Sequence, residues 1–133
     1  MADIEKIIAD QQRFFASGRT REVNFRIRQL KLLHHAIEQH ETEILDALYK
    51  DLHKPHFEGY LTEVGIIRDD IRHTIKKVGK WARPKSVKTP IYHWPAKSML
   101  SPEPYGRALI IAPWNYPAQL ALVPLTAAMA AGN

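Results

Sequence analysis

The sequence predicts an α/β chain in three parts: N-terminal helices, an extended hairpin arm, and the first strand and helix of a βαβ unit whose returning strand is missing. Three observations carry this. Apolar residues recur at helical intervals from Asp3 to Trp81. Eight of the nine prolines lie at or after Pro84, and only one of the 14 acidic residues does. Finally, "GRALIIAP" is a short apolar run followed by a bend and a second, nearly uncharged helical segment.

Taken in order, Ile4, Ile7, Ile8 and Phe15 predict a first helix, stopped by "SGRT", with Thr20 as a fresh N-cap. Val23, Ile27, Leu30, Leu33, Ile37, Ile44, Leu45 and Leu48 predict a second helical stretch, broken into two near His40 and ended by "HKPHFEG". A last helix of this part is expected from near Glu58 to Trp81, with Leu61, Val64, Ile67, Ile71, Ile75 and Val78 on one face. Between Val87 and Tyr105, prolines 90, 95, 102 and 104 exclude a central strand or helix, yet a twisted edge hairpin tolerates them.

The run from Gly106 to Pro113 is rich in β-formers in its middle and uncharged after Arg107, which predicts a buried strand. Pro117 suits the first turn of a helix, Asn115 or Tyr116 can cap it, and Gly132 with Asn133 supplies its stop. Pro124 should kink this helix. Leu120, Leu122, Val123, Leu125 and Met129 make it apolar on nearly every side, so it should be buried between layers. The predicted division is 1–85 helical, 86–104 arm, and 105–133 strand, bend and helix. The chain reads as the beginning of a larger protein.

Composition narrows the function. The net charge of +5 arises from 19 basic and 14 acidic residues that interleave through the first part of the chain. The densest basic cluster (Lys76, Lys77, Lys80, Arg83, Lys85, Lys88) lacks interleaved aromatic residues and matches no DNA-binding signature, so no nucleic-acid partner is expected. There is no cysteine, hence no disulfide, thiolate ligand or thiol nucleophile in these residues. The acidic start "MADIEKIIADQQRF" does not resemble a signal peptide, and a cytoplasmic location is expected. His34 with His35, and His53 with His56, have poor spacing for a metal, so none is expected: adjacent histidines diverge on a helix and Pro55 interrupts the second pair.

The candidate site is "IIAPWNYPAQ", Ile110 to Gln119. Neither Pro113 nor Pro117 can donate a backbone hydrogen bond, so the chain turns abruptly with Asn115 at the bend. A neutral carboxamide there can cap the following helix, or it can donate to developing negative charge without adding a competing proton transfer.

Laid out in this order, "ALYKDLHKPHFEGYLTEVG", "KWARPKSVKTP" and "EPYGRALIIAPWNYP…PLTAAMAAGN" resemble the N-terminal part of an aldehyde dehydrogenase, most nearly the branch acting on fatty and other hydrophobic aldehydes. The resemblance runs from about Phe14 to Asn133, and His53 stands where the family often has glycine. It implies that residues 105–133 open a Rossmann-like domain binding NAD or NADP, and that Asn115 helps hold the oxyanion formed when a cysteine attacks the aldehyde. It further implies that Ile111, Ala112, Pro113 and Trp114 line the cofactor site, and that the arm contributes to a homodimer. The nucleophilic cysteine, the general-base glutamate and the ribose-binding lysine would all lie beyond Asn133. No G-x-G-x-x-G occurs, so phosphate cradling by that fingerprint is not claimed.

A reading from another class is a non-enzymatic helical interaction protein with a membrane-seeking tail, since Ala108 to Asn133 is uncharged and long enough to span a bilayer. Three prolines, Asn115 and Gln119 oppose it, because each leaves a polar group to satisfy in lipid.

Overall fold

The computed structural model describes residues 3–133. Helix α1 (Ile4–Ala16) begins where Asp3 caps it, its carboxylate accepting from the Lys6 N–H at 3.1 Å. Helices α2 (Val23–Gln39) and α3 (Glu41–Leu52) meet at His40, the break expected from the sequence. Thr20, however, does not cap α2. It lies buried in a 3-10 turn, Arg19–Arg21, while Glu22 occupies the N-cap. The reason is Arg26. Its buried guanidinium donates to the carbonyls of Thr20 (2.6 Å) and Arg21 (3.0 Å), so the "SGRT" turn is folded around a side chain rather than ended by one.

Helix α3 ends at His53, which takes a left-handed conformation with φ 55° and returns its N–H to the Tyr49 carbonyl. That backbone is one glycine adopts without strain, and His53 takes it here. The next helical stretch starts at His56, two residues before the expected Glu58. It comprises α4 (His56–Gly59), a wide π-helical turn (Tyr60–Val64) and α5 (Gly65–Trp81). Val64, Ile67, Ile71 and Val78 are buried against Leu30 and Ile37 of α2 and Leu45 of α3, and these residues form the core. Leu61, expected on this face, is exposed because the wide turn shifts the helical phase before Val64. Arg68 ties the three helices together, donating to Glu41 and Glu38 at 2.7 Å each.

The arm is a two-stranded antiparallel hairpin, β1 (Lys85–Val87) with β2 (Ser98–Leu100), pairing Ser86 with Met99. The four prolines fall outside both strands, as their missing N–H requires. The Ser98 N–H donates to Thr89 Oγ1 at 2.8 Å and closes the hairpin.

Two expectations are corrected in the last part. Residues Gly106 to Pro113 form no strand among the described residues, and Leu109 and Ile111 are 86% and 83% exposed. A strand exists only through its ladder, and no described segment offers one here. Helix α6 (Pro117–Ala131) has Pro117 in its first turn, as expected, but it is covered on one side only, by α5 and α2. Thr126 and Ala130 are buried, whereas Ala127 and Ala131 are exposed. Helical backbone continues through Pro124.

The end of α6 is built as anticipated. Gly132 (φ 93°) donates to Met129 O and Asn133 N–H returns to Ala128 O, a Schellman arrangement. Arg26 donates to the Ala130 carbonyl at 3.2 Å, and burial pushes its guanidinium below the usual value while the charge of Glu103 opposes that shift. A Cβ on Gly132 would come within 2.6 Å of this guanidinium, which three carbonyls hold in place. Gly132→Ala is therefore expected to cost more than about 1 kcal/mol, from left-handed strain plus the clash. Chemical denaturation checks this; an unchanged midpoint would show that Arg26 yields freely.

Candidate active site

The bend from Ile111 to Pro117 sits between an unpaired segment and the N-terminus of α6. Tyr116 occupies the N-cap position, yet neither it nor Asn115 caps the helix with its side chain. The cap comes from elsewhere in the sequence. Glu63, on the wide turn and fully buried, accepts from the N–H groups of Ala118 (2.8 Å) and Gln119 (3.2 Å) through Oε2. Its Oε1 accepts from Lys54 Nζ at 2.7 Å.

Lys54 is itself nearly enclosed, its side chain 11% exposed. Besides Glu63, its ammonium donates to the Asn115 carbonyl at 2.9 Å and stands 3.9 Å from the centre of the Tyr116 ring. A buried carboxylate at a helix N-terminus is stabilised by the orphan N–H groups and the helix dipole, and a paired ammonium offsets part of the desolvation cost. The bend is thus fixed from its inner side by groups that the Asn115 side chain does not supply.

Asn115 is left with an exposed carboxamide that has no hydrogen-bond partner among the described residues. Of the residues expected to line a cofactor site, Ile111 and Trp114 are open (83% and 85% exposed), Pro113 is exposed and Ala112 half-buried. These four are contiguous with Asn115, so all five expected residues share one surface strip. Lys54 and Glu63 escaped the sequence reading. The available signal was an acidic residue inside an apolar stripe, Glu63 beside Val64 and four residues before Ile67.

A cavity of about 600 Å³ opens elsewhere, between α1, α2 and α6, and is lined by Phe14, Phe15, Phe25, Leu125 and Met129 among others. Its lining is mainly apolar and it does not reach Asn115. The histidines do not gather: His34 approaches Glu38 at 3.3 Å and His56 approaches Asp46 at 2.9 Å, on different parts of the surface.

With this geometry in view, comparison with known proteins is decisive. Residues 1–133 match the aldehyde dehydrogenase family. The chain belongs to that family. It is 47% identical over 130 residues to the 4,4'-diaponeurosporen-aldehyde dehydrogenase of Staphylococcus aureus, covering 98% of this chain and 28% of the relative. It is 36% identical over 133 residues to the dimeric NADP-preferring aldehyde dehydrogenase of Canis lupus familiaris, covering 29% of that protein. The solved substrate-bound state of Staphylococcus aureus AldH superposes with a TM-score of 0.96 at 47% identity, over 100% of this chain and 29% of the other. The chain therefore spans little more than a quarter of the length of these relatives.

Aldehyde dehydrogenases use NAD or NADP. The chain's lack of cysteine means that the thiol nucleophile of the family is not among these residues. The family match disfavours the reading as a non-enzymatic interaction protein; no helix among the described residues is long and apolar enough to cross a membrane.

Proposed function

We propose that these residues form the N-terminal part of an enzyme that oxidises a hydrophobic aldehyde to a carboxylic acid with NAD or NADP. The observation that carries this is the Asn115 carboxamide: exposed, without a hydrogen-bond partner among the described residues, and set on a bend that the buried Glu63–Lys54 pair fastens from within. A donor held in advance and free to bind is what an oxyanion needs. Attack by a cysteine supplied beyond Asn133 would place negative charge on the aldehyde oxygen, and the Asn115 amide N–H would donate to it. Bound NAD or NADP supplies the hydride acceptor. The strip Ile111–Trp114 suits such a group, since it offers exposed apolar side chains and backbone that is not consumed by a ladder. The named substrate of the staphylococcal relative supports the hydrophobic class.

Expression of the coding frame continued past Asn133, assayed with aldehydes of increasing chain length, tests this reading. Cofactor reduction that strengthens with chain length supports it; no oxidation of any aldehyde overturns it.

In the complete protein the arm, residues 86–104, is proposed to contact a second subunit. Ile91, Tyr92, Trp94, Met99 and Leu100 are exposed on it, an apolar surface that calls for a cover. The canine relative is named as dimeric. Deleting residues 88 to 102 from the complete enzyme should give monomer or aggregate by light scattering, and an unchanged dimer would refute the assignment.

A further inference from the structure

We infer that Lys54 and Glu63 are positioning residues for the Asn115 donor, a role that rests on the oxyanion reading above. The pair joins the loop after α3, which carries Lys54, and the wide turn, which carries Glu63, to the bend at three points. Glu63 fixes the first turn of α6 through the Ala118 and Gln119 N–H groups. Lys54 fixes the peptide between Asn115 and Tyr116 by its carbonyl oxygen, and it packs against the Tyr116 ring that follows. The 2.7 Å contact between the two side chains locks these anchors to each other.

The stereochemistry at Asn115 gives the arrangement its purpose. At a tetrahedral Cα the carbonyl and the Cβ leave in different directions. Drawing the Asn115 carbonyl inward to an enclosed ammonium therefore limits the directions open to its side chain, and the exposed carboxamide lies on the free side. Without Lys54 the backbone at Asn115 has no other hydrogen bond among the described residues, because Arg107 to Asn115 make no backbone–backbone bonds. The donor would then sit on a segment whose nearest hydrogen-bonded anchors are Arg107 on one side and Tyr116 on the other.

Stability alone does not account for the choice of an ion pair. A helix N-terminus is commonly capped by its own Ser, Asp or Asn, at less desolvation cost than burying a glutamate completely. The buried pair reaches a place that a local cap cannot, the carbonyl of Asn115 two residues before the helix begins. It also leaves Asn115 free, where a local Asn cap would consume the carboxamide. The wide turn Tyr60–Val64 sets up this reach, since it buries both Glu63 and Val64, one bound to α6 and the other in the core.

The test is a mutant cycle in the complete enzyme, with kcat taken per active site. Lys54→Ala should lower kcat roughly 10- to 10²-fold, the scale of a donor displaced by about an ångström. Asn115→Ala should lower it further, and the double variant should match Asn115→Ala alone, because Lys54 has nothing left to position. Glu63→Gln, which still presents an oxygen to Ala118 and Gln119, should keep more activity than Glu63→Ala. If Lys54→Ala folds poorly because Glu63 is left unpaired, Lys54→Ala with Glu63→Gln removes both charges and takes its place in the cycle. A native kcat in the Lys54 variant with only a lower Tm would overturn the inference, as would losses that multiply in the double variant. A native kcat for Asn115→Ala would instead bring down the oxyanion reading itself, and the positioning role with it.

Discussion

The isolated chain of 133 residues, mixed with an aldehyde and NAD or NADP, is expected to give no reduced nicotinamide above the uncatalysed background. The family route needs a thiolate that attacks the carbonyl and is later expelled from an acyl group, and the chain has no cysteine. Hydroxyls do not replace it. Thr126 is fully buried and donates to the Leu122 carbonyl, and Thr20 is buried under Arg26, so neither can meet a substrate. An exposed serine or threonine would need an adjacent base to attack at neutral pH, and among the described residues no histidine stands beside one in a hydrogen bond. Asn115 would stabilise an oxyanion, but nothing here creates one. The absorbance of reduced nicotinamide over time decides the matter. Turnover that saturates with aldehyde would mean that the borrowed thiolate chemistry is wrong for this protein.

What could be read from the sequence were features that residues specify locally. The amphipathic repeat gave the break at His40 and the end at Trp81 because α2, α3 and α5 each bury one stripe, and burying that stripe is also what stabilises them; α1 was marked by the same spacing, though it buries no residue. Prolines marked the region of the hairpin without placing its strands, the first of which begins at Lys85, and Gly132 with Asn133 stopped α6 through its own backbone. The failures share a different cause. The turn at Thr20 is shaped by Arg26 and, through it, by Ala130, 104 residues away from Arg26. The segment from Gly106 to Pro113 has strand composition without a neighbour to pair with. The cap of α6 comes from a residue 55 positions before Ala118. Each depends on contacts between distant parts of the chain, to which a local pattern is blind. The site shows the same division: Asn115 stood out by its flanking prolines, whereas Lys54 and Glu63 resembled ordinary surface charges until the fold brought them beneath it.

In the complete enzyme, Asn115→Ala should lower kcat by roughly 10²- to 10³-fold, the cost of losing one oxyanion-hole donor, while cofactor binding changes little. Such a donor acts mainly in the transition state, so its loss falls on the chemical step rather than on affinity. The structure sharpens the expectation for stability. Because Glu63 caps α6 and the Asn115 carboxamide bonds to nothing described, truncation should leave Tm nearly unchanged, within the roughly 0.5 kcal/mol of an ordinary surface substitution. A cap role would cost about 1 kcal/mol instead. Asn115→Asp separates chemistry from architecture: it preserves size and is tolerated near the positive end of a helix dipole, yet it sets a carboxylate against the forming oxyanion. It should fold as well as the native enzyme and turn over no faster than the alanine variant. Melting temperature and kcat for both substitutions supply the comparison. A well-folded Asp variant with near-native kcat would mean that the bend between Pro113 and Pro117 serves to join a segment to a helix, and that the oxyanion is held by other groups.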